Sequence, residues 1–332
     1  MDVFRTRIDI EDSINKIDYS HKIMFMGSCF ADSIGNIFRD NKFNTFVNPF
    51  GVTYNPISVA NSLNAILDNK EYTEDDIIFT NGKWVSMAHH GKFSHQDKQF
   101  CLNRLNSNNY NARLFLEETS YLVITFGTAW VYESIENRTV VSNCHKLPAR
   151  DFKRYRLTVE EIVDVYRELI VMLKHFNPNI KIIFTLSPIR HWKDGAQENQ
   201  LSKSVLLLAI NELKQTLYNV DYFPSYEIVM DELRDYRFYA EDMIHVSPLT
   251  VNYIWQRFKE TNISKSVMSA MFDVSKLTKS IQHRPLVADT QEYRDFLNRL
   301  LVKIDLLERK YPDINFSKER DVVFERINNQ GN

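Results

Sequence analysis

The sequence predicts a three-layer α/β/α domain on a mainly parallel, five-stranded sheet, followed by a helical C-terminal extension. Three observations carry this expectation. Apolar runs without polar alternation recur at 22–26, 121–126 and 180–186, and strands buried on both faces of a parallel sheet read this way. Segments with helical apolar spacing lie between them, as crossover connections require. Beyond about Val267 the strand signal stops, and only helical spacing among many charges continues.

Taken in order, the run 22–26 ends at Gly27, and the stretch from Ala31 to Arg39 places Ile34 and Phe38 at helical spacing. This reads as strand, tight turn, helix. Asn55-Pro56 joins a capping side chain to a proline at the first helical position, so a helix should start there. The second apolar run, 121–126, ends at Gly127. Over 157–176, Ile162, Val165, Leu169, Met172 and Phe176 mark one helix face, and Thr158 with Glu161 has capping-box spacing. The third run leads into Ser187-Pro188, after which Leu206, Ile210, Leu213 and Leu217 mark another helix, with a strand expected near 226–230. Ser247-Pro248 repeats the cap-plus-proline signal. In 289–311, Tyr293, Leu297, Leu300, Leu301, Ile304 and Leu307 share a helix face. No low-complexity linker or repeat interrupts the chain, so residues 1–262 are read as the α/β domain and 263–332 as a helical extension packed on it.

Composition narrows the function classes. The 332 residues carry 41 Lys+Arg against 43 Asp+Glu, and a net charge of −2 removes the electrostatic argument for a nucleic-acid partner. The longest apolar run, 205–210, is far below the roughly 18 residues of a membrane span. No membrane helix is expected. The opening MDVFRTRIDIEDS has neither an apolar signal core nor a small-residue cleavage site, and the only cysteines are Cys29, Cys101 and Cys144. A cytoplasmic, reduced protein without a disulfide framework follows as the expectation.

Only eight glycines are present, about a third of ordinary usage. Gly27, Gly51 and Gly127 sit at or near the ends of apolar segments, where backbone N–H groups can approach a ligand or simply make turns. Gly27-Ser28-Cys29-Phe30-Ala31 puts a hydroxyl and a thiol on a strand-to-helix turn. Either could be a nucleophile, favoured by the positive end of the following helix, or the turn could hold an inert buried cysteine. Asp242-Met-Ile-His245 places a carboxylate three residues before a histidine, next to the Ser247 cap. The carboxylate could bind Nδ1 and leave Nε2 as a general base. Sites in open parallel sheets form at strand carboxyl ends, which is where these loops should lie.

The run GSCFA is accompanied by Asn48-Pro-Phe-Gly51-Val-Thr-Tyr-Asn-Pro56, Phe126-Gly-Thr-Ala-Trp-Val-Tyr132, Asn143-Cys-His-Lys146, Ser187-Pro-Ile-Arg-His191, Asp194-Gly195 and Glu198-Asn199. Through most of residues 1 to 262 the chain therefore resembles the GSCFA family, which looks like a branch of the SGNH (GDSL-like) hydrolases. The resemblance implies a flavodoxin-like three-layer sheet, a nucleophile after the first strand, an oxyanion hole completed by a glycine and an asparagine, and a late Asp-x-x-His. Carried over by position, Ser28 stands at the superfamily's Asp and Cys29 at its nucleophilic Ser. Gly51 matches the second-block glycine, Gly127 opens the third block, and Asp242 with His245 match the last. Ala129 and Trp130 stand where the third block has Asn and Asp, so one side-chain oxyanion donor is missing.

His89, His90, His95, Cys144 and His145 match no standard zinc spacing, so no metal is expected. Asn143, His145, Lys146, Arg190 and His191 fall in or beside loops; they either contact a ligand, with Asn143 replacing the missing donor, or satisfy one another. The leading expectation is an SGNH-like hydrolase or acyltransferase acting on a small-molecule or carbohydrate ester without a cofactor. Cys29 or Ser28 would attack, His245 would serve as base oriented by Asp242, and amides of the nucleophile turn and Gly51 would hold the oxyanion. The alternative is a ligand-binding protein on the same fold that turns nothing over.

Overall fold

In the computed structural model, which describes residues 5–283 and 290–328, the three apolar runs become strands that pair in parallel. Along the chain, β1 (Lys22–Gly27) is followed by α1 (Cys29–Asp40), β2 (Asn44–Val47) and α2 (Pro56–Leu67). An antiparallel hairpin of β3 (Ile78–Thr80) and β4 (Lys83–Val85) precedes α3 (Lys98–Glu117) and β5 (Thr119–Phe126). A small antiparallel sheet of β6 (Trp130–Ser134), β7 (Val140–Val141) and β8 (Phe152–Arg156) then leads to α4 (Val159–Phe176) and β9 (Lys181–Leu186). After α5 (Gly195–Thr216) and β10 (Val220–Phe223) come the short α6 (Ser225–Glu227), α7 (Pro248–Asn262), α8 (Met268–Gln282), α9 (Gln291–Lys310) and α10 (Ser317–Asn328).

The main sheet has the order β2-β1-β5-β9-β10, and every pairing in it is parallel. Counting only these five strands, this is the 2-1-3-4-5 order of doubly wound sheets, whose winding reverses between β1 and β5. Successive strand residues face opposite layers. Met24, Met26, Leu122, Ile124 and Phe126 therefore join one apolar core with α2, α3, α4 and α5, while Ile23, Phe25, Tyr121 and Val123 join a second with α1 and α7. The expected caps form: Asn55 Oδ1 accepts the Ser58 N–H at 2.8 Å, Ser247 caps α7, and Thr158 and Glu161 make a reciprocal capping box.

Two local differences from the sequence reading have physical causes. The strand expected near 226–230 lies earlier, at β10, and residues 225–232 are helical. Tyr226 faces one core and Ile228 and Val229 the other, so apolar residues lie on two sides of this turn, and a short apolar run cannot be told from a strand by periodicity. The sheet β6–β8 was not expected, because its strands are short and several of its side chains face the site rather than a core.

The C-terminal helices build a third apolar cluster from Val274, Leu277, Leu297, Leu300, Ile304 and Val323. Residue 289, where the long helix was expected to begin, lies outside the described residues; the helix observed is α9. A largely buried ion pair between Lys42, just after α1, and Glu319 of α10 ties this cluster to the α/β part. Among the described residues, no helix is long and apolar enough to cross a membrane.

Candidate active site

The turn after β1 is fixed by backbone geometry. Gly27 has φ +127°, and a Cβ there would lie 2.1 Å from the Thr125 carbonyl oxygen of β5, so only glycine fits. Its N–H donates to Asn48 Oδ1 at 2.8 Å, and Asn48 Nδ2 donates to Asp32 Oδ1 at 2.6 Å. The buried Asn48 side chain thus clamps the end of β1 to the loop after β2 and to the first turn of α1. Ser28 is the extended N-cap of α1, 1% exposed, and its Oγ accepts the Phe30 N–H at 3.3 Å. That hydroxyl is engaged in starting the helix. Cys29, the first helical residue, is half-buried in the wall of a cavity.

The cavity has a volume of about 630 Å³ and lies at the carboxyl ends of β1, β5 and β9, at the point where the winding reverses. His245 borders it from the loop before α7. Its Nδ1 is 2.5 Å from Asp242 Oδ2, and Asp242 Oδ1 accepts the N–H groups of Ile244 and His245 at 3.0 and 2.9 Å. Met243, at φ +59°, makes the tight turn that lets the carboxylate curl back on the ring. The hydrogen bond from His245, then those amides, hold the Asp242 carboxyl at about 2. A carboxylate on Nδ1 fixes the tautomer that leaves Nε2 as the basic nitrogen.

Burial pushes the Cys29 thiol up and the nearby Asp32 carboxylate adds to the shift, while the amides of Cys29 and Phe30 and the Lys203 ammonium oppose it. Desolvation therefore outweighs the helix N-terminus expected to favour a thiolate. Lys203 was missed in the sequence reading. It is 1% exposed on α5, and its Nζ donates to the carbonyl oxygens of Gly127 at 2.7 Å and Ser187 at 2.6 Å, just past the ends of β5 and β9. Burial pushes its ammonium down to about 7. A signal existed: Lys203 falls on the same helical stripe as Leu206, Ile210 and Leu213, all buried, so a charge stood on an apolar face.

The remaining expected residues divide. Gly51, at φ +80°, donates its N–H to the Asn48 carbonyl at 2.8 Å, and a Cβ there would lie 2.2 Å from His90 Cβ. Close packing explains that glycine, and its amide is not free. The next residue, Val52, lines the cavity, and its N–H has no hydrogen-bond partner among the described residues. Gly127 donates to the Tyr54 carbonyl at 2.8 Å and packs against His191. His191 lines the cavity; burial pushes it down to about 4, so the ring is neutral at pH 7. Arg190 and Asn143 also line it. His145 turns its Nε2 to the Ser86 carbonyl at 2.8 Å and is not part of the lining.

Ala129 is fully buried and its N–H is held by Ser202 Oγ at 2.8 Å, whereas Trp130 borders the cavity with a buried, unpartnered indole N–H. His89 is buried in a stack on Phe50 at 4.4 Å, and His95 packs on Phe100 at 4.1 Å. Among the described residues, no group of three or more His, Cys, Asp or Glu side chains is placed to hold a metal ion.

Comparison with known proteins gives a family, and solved structures that the chain resembles. An acetyl xylan esterase (Est2A) from the rumen bacterium Butyrivibrio proteoclasticus superposes with a TM-score of 0.37 at 12% identity, over 74% of this chain and 65% of that enzyme's length. No curated protein matches. The model of the GSCFA C-terminal domain matches residues 274–329, the helical cluster. The GSCFA family model matches residues 22–258, which hold the whole sheet and every residue of the cavity described above, and the chain belongs to the GSCFA family.

Proposed function

We propose that this protein is an ester hydrolase or acyltransferase in which Cys29 is the nucleophile, His245 the general base and Asp242 the residue that orients it. The observation that carries the reading is that Cys29 and His245 border one cavity, with the Asp242 carboxylate on the far nitrogen of the His245 ring, while the Ser28 hydroxyl, in the same wall, is taken up in capping α1. Because burial keeps the Cys29 thiol protonated, a base has to act during attack. His245 Nε2 takes the thiol proton as Sγ bonds to the acyl carbon, and the tetrahedral oxyanion faces the amides of Cys29 and Val52. Collapse breaks the ester C–O bond, His245 returns its proton to the leaving oxygen, and a Cys29 thioester remains. Water or an acceptor hydroxyl, deprotonated by His245, then attacks the thioester and restores the thiol.

Tyr54, Trp130, Tyr132 and Trp192 give the cavity flat, amphipathic walls. Such surfaces suit the faces of a sugar ring, so an acylated carbohydrate, or a small acylated metabolite of similar shape, is the substrate class. A reducing compartment protects a thiol nucleophile from oxidation, and Cys29, Cys101 and Cys144 are all free, which supports a cytoplasmic site of action.

Intact-mass spectrometry during turnover of an activated acetyl ester tests the mechanism. Wild type should accumulate one acetyl group, mapped to Cys29. Cys29→Ala should lose the adduct and at least about 1,000-fold of the turnover, and His245→Ala should slow acylation by about 100-fold or more. Acetylation at Ser28 would transfer the role to the hydroxyl. Absence of both adduct and turnover over a panel of acylated sugars would favour the non-catalytic alternative.

A further inference from the structure

Arg190 is the one arginine bordering either of two adjoining cavities that has no counter-charge among the described residues. It follows β9 in the Ser187–His191 loop and lines both the 630 Å³ cavity and a neighbouring one of about 380 Å³. Its guanidinium stacks on Trp192, 4.9 Å from the ring centroid, and its Nε is buried without a hydrogen-bond partner. The other arginines of these walls are neutralised: Arg154 pairs with Asp194, and Arg234 with Asp231 at 2.9 Å. The nearby carboxylates are occupied as well. Asp242 is held by His245 and two amides, and Asp235 by Arg237 at 2.9 Å.

Leaving a partly buried guanidinium unpaired is costly, and stacking on an indole orients its edge without satisfying its donors. One further cation, Lys193 in the same wall, adds to the field here. On the acyl-transfer reading given above, we propose that the substrate carries an anionic oxygen group, a carboxylate or a phosphate, which Arg190 holds bidentately at the junction of the two cavities. The planar fork of Arg matches the two oxygens of either group, and the pairing fixes the substrate's orientation as well as adding affinity.

Calorimetric or NMR titration of the wild-type protein with glucuronate, glucose 6-phosphate and glucose tests this without requiring turnover. At least one anionic sugar should bind about tenfold or more tightly than glucose, with an advantage that shrinks as salt rises. The relative affinity of the two anions separates a carboxylate from a phosphate. Arg190→Gln, checked for folding by its thermal midpoint, should erase the preference, and Arg190→Lys should restore part of it. Equal affinity for all three sugars, no detectable binding of either anion, or a preference that survives Arg190→Gln overturns the proposal. Preferential anion binding by a protein that forms no Cys29 adduct would instead remove the acyl-transfer reading and leave the role of Arg190 standing.

Discussion

Gly27 is the residue on which the site's geometry turns, since its φ of +127° and its contact with the Thr125 carbonyl set the direction in which Cys29 leaves β1. Gly27→Ala should cost about 3 kcal/mol or more, because both the backbone conformation and a 2.1 Å approach to a main-chain oxygen oppose a methyl group. Urea denaturation measures it, and a loss below 1 kcal/mol would mean that the turn relaxes freely. The sequence made much of this level legible: a glycine between a strand and a helix, a thiol and a hydroxyl beside it, and an Asp-x-x-His before a capped helix. Both Ser28 and Cys29 line the cavity, and which of them is taken up in capping α1 was not legible, because capping depends on φ, ψ and side-chain direction. Nor was the commitment of the Gly51 amide to Asn48. That bond lies within a turn whose hydrogen bonding no side-chain pattern records.

At the scale of elements, the strands buried on both faces and the capped helices were the legible part, because burial and capping write themselves into residue type. The helical stretch 225–232 was misread for the same reason, since contact with two cores makes any backbone look like a buried strand. Helix α5 carries a consequence of its own. Through Lys203 it ties the chain beyond β5 to the chain beyond β9, and those are two walls of the cavity. Lys203→Met leaves two carbonyl acceptors without their ammonium donor and should cost about 3 kcal/mol. It should also change the pH dependence of stability. With the ammonium pushed down to about 7 in the native state, the unfolded chain binds more protons between about pH 7 and 10. Wild-type stability therefore rises with pH across that window through this group. Urea midpoints at pH 7 and 9.5 should show the rise in wild type and its loss in Lys203→Met, and equal slopes in both proteins would contradict the assignment.

For the molecule as a whole, two histidines with strongly lowered pKa values make stability fall in acid. His89 stacks on Phe50, contacts the rings of Tyr72 and Phe93, and has an unpartnered Nε2; burial pushes its pKa down to about 3. His191 is pushed down to about 4, also by burial first. Both positions depart from the unfolded value of about 6.5, so below that pH the unfolded chain takes up protons that the native state refuses. Native stability is then lost progressively from about pH 6.5 down to about pH 4 for His191 and about pH 3 for His89. Each group contributes a slope of up to about 1.4 kcal/mol per pH unit. The loss reaches the site, because Phe50 immediately precedes Gly51 and Val52, and the Phe50 carbonyl accepts the His90 N–H at 2.9 Å. Protonating His89 would break the stack that holds this loop against the cavity. Urea midpoints measured at pH 7, 6, 5 and 4.5 should fall steeply in wild type and less steeply in His89→Gln, whose amide can replace the ring nitrogen that lies 3.0 Å from Ser86 Oγ but cannot titrate. The comparison rests on slopes, so a uniformly less stable variant still decides it, and parallel pH profiles for the two proteins would show that His89 is not the group through which acid unfolds the chain.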